Sequence, residues 1–127
     1  MRKRTRIIPR NLKPANPDAA VMTVLRRLDS NLDKPRRVDF YLYFATKADA
    51  ERARIELVSF GFSVQLHRAS KSSNWLCLSS KEMAPDQAEL MRWRKKLTQL
   101  AEKFGGTFDG WETEIVTEGK PLPDVLR

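Results

Sequence analysis

Asp109, Gly110 and Trp111 set a carboxylate, a glycine and an aromatic ring side by side, the material of an active-site corner. Acid–base work needs a second titratable group within reach of the same substrate. None adjoins Asp109 in sequence. The structural alternative has Trp111 in the core, Gly110 bending or bulging the backbone, and Asp109 bonding nearby amides. His67 is the single histidine and Cys77 the single cysteine, which is no ligand set for zinc. His67 reads as a surface residue on the polar side of a strand. Cys77 reads as a small hydrophobe within an apolar strand. Glu112 and Glu114 alternate on one strand and read as solvated acids. No Gly-rich phosphate loop or Ser/His/Asp spacing is present, and the two glycines of "FGG" follow a helix instead of opening one. The residues therefore lead to no catalytic set, no metal site and no cofactor.

The elements that must hold these residues are legible in the periodicity. "VDFYLYFA" alternates: Val38, Phe40, Leu42 and Phe44 face one way, Asp39, Tyr41 and Tyr43 the other. Thr46 followed by Asp49 resembles a capping box, and the helix after it buries Ala50, Ala53, Leu57 and Phe60 before Gly61. "FSVQLHR" alternates again, "SKSSN" is turn-like, and "WLCLSS" is a third strand, which together predict a hairpin. Pro85 opens the longest helix, with Leu90, Trp93, Leu97, Leu100, Ala101 and Phe104 as its apolar stripe; Gly105 and Gly106 end it. A fourth strand runs from about Thr107 to Val116. The order βαββαβ predicts an α+β, ferredoxin-like domain over 36–117, a four-stranded antiparallel sheet with both helices on one face. An extra N-terminal helix is expected over 16–34, capped by Asn16 with Pro17 at its first position, and with Val21, Leu25, Leu28 and Leu32 at helical spacing. Residues 1–15 read as an irregular, disordered basic arm and 118–127 as an irregular tail.

Such a sheet leaves one face without helices. Alternation gives that face Tyr41, Tyr43, Gln65, His67, Glu112 and Glu114, with Trp75 and Cys77 as further candidates. Tyr41, Tyr43, His67, Trp75, Asp109 and Trp111 are accordingly the expected partner surface. RNA-recognition domains use the same face, but "NWLCLSSK" lacks their basic and aromatic third-strand signature, and the acids at 112 and 114 oppose phosphate. The extra helix or a second copy of the chain would be alternative covers for the face.

Charge is divided sharply. Residues 1–37 hold 11 Lys+Arg and 3 Asp+Glu, a net of +8; residues 38–127 hold 13 of each. Arg2, Lys3, Arg4, Arg6, Arg10 and Lys13 precede any acid, a density suited to nucleic acid or another polyanion. No stretch approaches the ~18 apolar residues of a membrane span. The N-terminus lacks the apolar region of a secretory signal, and Pro9 and Pro14 oppose the amphipathic helix of a transit peptide. One cysteine forms no internal disulfide, which points to a reducing compartment, most simply the cytoplasm.

The stretch "LTQLAEKFGGTFDGWETEI" resembles the C-terminal motif of the regulator of ribonuclease activity B (RraB) family, through Leu100, Ala101, Glu102, Lys103, Phe104, Phe108 and Asp109-Gly110-Trp111. "PRRVDFYLYFATKADAERARIELVSFGFSVQL" resembles the family's first βαβ, and "NWLCLSSKEMAP" its third strand and the lead into the second helix. The resemblance spans about residues 17–117. It implies a ferredoxin-like, non-catalytic protein that binds a ribonuclease and restrains RNA cleavage, as the inhibitors of ribonuclease E do at that enzyme's scaffold region. Those inhibitors carry acidic ends; here the N-terminus is basic. The residues thus leave three kinds of function: a regulator that binds a protein partner, an accessory protein that binds RNA or another polyanion through its arm, and a small-ligand domain of the same topology.

Overall fold

A computed structural model describes residues 3–7, 22–23, 26–27, 34–70 and 72–117, with backbone alone for 3–7 and 115–117. Its elements are β1 (Lys3–Ile7), β2 (Arg36–Phe44), α1 (Lys47–Ser59), β3 (Ser63–Arg68), β4 (Trp75–Met83), α2 (Gln87–Lys103) and β5 (Thr107–Thr117). From β2 onward the order is the expected βαββαβ. The sheet is antiparallel throughout, in the order β1-β5-β2-β4-β3. Its β5-β2-β4-β3 portion is the four-stranded arrangement expected from the sequence.

Lys3–Ile7 differs from the irregular arm that composition suggests. It pairs with the far end of β5, Lys3 opposite Thr117 and Ile7 opposite Thr113. Extended backbone next to an unpaired strand edge can complete a ladder whatever its charge. Most of the helix expected over 16–34, including Val21, Leu25, Leu28 and Leu32, lies outside the described residues, as do Arg2, Arg10, Lys13 and the tail 118–127. Within that stretch Met22 is buried in the core, and Arg26 donates to Gln87 at the start of α2.

Both helices share one side of the sheet. Val38, Phe40, Leu42 and Phe44 lie in one buried cluster with Ala50, Ala53 and Leu57 of α1 and Leu90, Leu97, Leu100 and Ala101 of α2. Thr46 caps α1 by accepting from the Asp49 amide at 3.1 Å, as the capping-box spacing predicts. Asp86 caps α2 by accepting from the Glu89 amide at 2.9 Å, one residue after the Pro85 start read from sequence. Edge-to-face rings tie the layers, Phe40 to Phe62 at 5.4 Å and Phe62 to Trp93 at 4.9 Å. Gly106 has no room for a side chain: a Cβ there would overlap Tyr43 O and the Phe44 ring.

Candidate functional site

The face of the sheet opposite α1 and α2 is the candidate site, and register assigns its residues row by row. Directly opposed residues share a face. One row runs Thr107, Tyr43, Leu76, His67; the next holds Tyr41, Leu78 and Gln65. A third runs Glu112, Asp39, Ser80, Ser63, and the last sets Arg37 beside Glu82. The face is thus graded, from aromatic and aliphatic side chains at one end to charge at the other.

Tyr41 and Tyr43 stand on this face as expected, both half-buried, and His67 and Gln65 are exposed beside them. Tyr41 donates its hydroxyl to Glu112 Oε1, and Gln65 Oε1 lies 3.0 Å from His67 Nε2. Glu112 is buried and not solvated, at 4% exposure, and Asp39 opposite it has 2%. Asp39 is held by Arg37 Nε and by the Ser80 hydroxyl, each 2.7 Å from Oδ1. Two buried carboxylates face each other across β2 and β5, each within a hydrogen-bonded pair on the sheet surface.

Trp75 and Cys77 are on the other face. Leu42 pairs with Cys77 and Phe44 with Trp75, so both follow the core side of β2. Trp75 is half-buried, with Lys47 Nζ and the Arg68 guanidinium over its ring at 5.5 and 5.9 Å. Cys77 is fully buried, its thiol 3.3 Å from Ala50 O. Burial raises its pKa from 9.0 to about 12, with Arg54 lowering and Glu51 raising it in smaller measure. The positions on the helix-free face are instead Leu76 and Leu78, which sequence reading missed. In an unbroken apolar run such as "WLCL" alternation has no polar member to mark the phase. The signal available was Cys77, a residue type that is usually buried.

Trp111 also departs from the expected partner surface. It is 0% exposed and pairs with Phe40 on the core side. The cause is a bulge: Phe40 pairs with Trp111 but Leu42 with Phe108, so β5 spends an extra residue at Asp109-Gly110. Gly110 adopts φ +99°, open to a residue without Cβ. Phe108 and Trp111, three apart, thereby face the same core, which strict alternation forbids. Asp109 is exposed in the bulge. The buried Trp111 and the bulge at Gly110 match those two parts of the structural reading of Asp-Gly-Trp.

Among the described residues no group of three or more His, Cys, Asp or Glu side chains could hold a metal ion, and no helix is long and apolar enough to cross a membrane. Layering, strand order and the graded sheet face define the class: an α+β domain in which, among the described residues, α1 and α2 leave one sheet face clear. A model of the family described as regulator of ribonuclease activity B matches residues 17–113, and the chain belongs to that family. No curated protein matches the chain.

Proposed function

We propose that this protein is a non-catalytic regulator that binds a ribonuclease and restrains RNA cleavage, resembling the inhibitors of ribonuclease E. The observation that carries the reading is the contiguous patch of Tyr41, Tyr43, Leu76 and Leu78 on the face opposite α1 and α2, in a chain of a ribonuclease-regulating family. Large half-exposed side chains anchored on rigid strands cost little ordering entropy on docking, and aromatic anchors dominate interface energy. The polar network beside them leaves its acids engaged with Arg37, Ser80 and Tyr41, an arrangement suited to shape and not to turnover. Trp75 and Trp111 support the surface from the far side of the sheet; they are not its contacts.

The test is RNA cleavage by purified ribonuclease E with increasing amounts of the protein. The expected result is slower cleavage that saturates. Leu76→Glu and Tyr43→Glu each place a charge in the patch and should weaken the effect by at least about tenfold, since a docked apolar anchor contributes on the order of 2 kcal/mol. Unchanged cleavage at saturating protein would sink the proposal. So would full restraint by both variants.

A second reading rests on the placement of Lys3, Arg4 and Arg6. They lie on β1, the outer strand of the sheet, which lines basic residues along one edge. In this version the protein meets RNA through its N-terminal segment, with Arg2, Arg10 and Lys13 adding charge.

A further inference from the structure

At the start of β3 the fold holds an arginine in a set position. The Arg37 side chain is 50% exposed, while that of Asp39, its partner, is 3% exposed. Ser80 Oγ donates to the same Asp39 oxygen as Arg37 Nε. The carboxylate is therefore pinned by both β2 and β4, and it pins one edge of the guanidinium in turn. That contact uses Nε; the Nη1 and Nη2 end takes no part in it. β3 begins at Ser63, opposite Ser80, so among the described residues the last residues of β4 run past it without a paired strand on that side. The result is a groove of about 340 Å³, whose lining includes Arg37, Ser63, Gln65, Ser80, Lys81 and Glu82.

The lining selects the ligand. The end of a guanidinium offers two parallel N–H groups, which match a planar carboxylate. Ser63 and Gln65 bring neutral donors to the same groove. Lys81 adds positive charge nearby, but its ammonium already donates to Phe60 O at 2.9 Å and sits 4.4 Å from the Trp93 ring centre. Glu82 on the rim, opposite Arg37 in the register, repels a dianion more strongly than a monoanion. The volume lies near the small end of ligand pockets, with room for a side chain or a short acid.

We propose that this groove is a carboxylate-binding site in which Arg37, oriented by Asp39, grips the anion. Where the protein acts as a regulator of a protein partner, an acidic side chain of that partner supplies the group; a free dicarboxylic acid presents the same chemistry. The experiment is an NMR titration of the full-length chain with succinate, with the capped peptide acetyl-Ala-Glu-Ala-amide, and with inorganic phosphate. The expected result is saturable shifts at Arg37 Nε–H and at the Ser63 and Gln65 amides, with a dissociation constant on the order of millimolar. Phosphate should bind more weakly than the better carboxylate. Binding of the peptide assigns the site to partner side chains, and binding of succinate alone assigns it to free acids. Arg37→Lys keeps the charge and loses the fork, and should weaken binding about tenfold. Gln65→Glu leaves the Arg37–Asp39 pair intact and should weaken it as well. The proposal fails if neither carboxylate gives saturable shifts, if phosphate binds as tightly, or if Arg37→Lys binds unchanged. No ribonuclease enters this titration, so its failure and the failure of the cleavage assay are separate results.

Discussion

Cys77 is a thiol that the fold keeps protonated. Its pKa of about 12 follows first from burial between β4 and α1. Thiolate is the reactive form, so the native protein should react with a thiol reagent at about pH 8 only as fast as it opens, and at once when unfolded in urea. The pH dependence has a definite sign. The unfolded thiol loses its proton near 9 and the folded one near 12, so the folded state binds more protons between these values. Stability from this group is complete below about pH 9 and falls as pH rises toward 12. Urea midpoints measured across that window should decline less in Cys77→Ala than in the parent. Ser79, two residues on, has a buried hydroxyl without a hydrogen-bond partner among the described residues. Removing an unsatisfied buried polar group relieves a cost of about 1 kcal/mol or more, so Ser79→Ala should be neutral to stabilising in urea denaturation. Gly106→Ala should do the opposite. Its methyl group would overlap the Tyr43 carbonyl and the Phe44 ring, both fixed on β2, at a cost of about 1–3 kcal/mol.

At the scale of elements, β5 is held from two sides over different lengths. β2 pairs with it from Thr107 to Thr113, and β1 from Thr113 to Thr117. The last four residues of β5 thus overhang the four-stranded sheet and have β1 as their paired strand. A two-stranded ribbon is marginal by itself. Deleting residues 1–7 should therefore speed amide hydrogen exchange at Glu114–Thr117 strongly while leaving Leu42 and the paired half of β5 protected; equal protection in both halves would show that β1 contributes nothing. The same elements show what could be read from sequence. β2 declared its faces because Asp39, Tyr41 and Tyr43 interrupt the apolar series. β4 did not, because Trp75–Leu78 is apolar throughout, and the phase assigned to it was off by one residue. The Gly110 bulge was foreseen as a kind of feature, but its effect on Phe108 and Trp111 depends on the register with β2. β1 was invisible: "KRTRI" has no apolar face, and an edge strand with a ready partner needs none.

Net charge is divided along the chain and not between folded parts: residues 1–37, which include β1 and the start of β2, carry all of it. Residues 38–127 balance at zero, so the field that attracts or repels a polyanion originates in residues 1–37. This distinguishes the two modes of action. Docking through Tyr43 and Leu76 removes apolar surface from water and should depend little on salt. Binding of RNA through Arg2, Lys3, Arg4, Arg6, Arg10 and Lys13 should follow counterion release. For six contacts to single-stranded RNA the slope of log K against log salt is at most about −4. Replacing Arg2, Arg10 and Lys13 with Ser leaves β1 intact and should reduce that slope by about 2, read by fluorescence anisotropy of a labelled single strand. The same triple variant should restrain ribonuclease E as well as the parent does at physiological salt. A slope that does not change would remove the arm from RNA binding. Restraint that disappears with the three charges would mean that the protein works by occupying the RNA, with the sheet face a bystander.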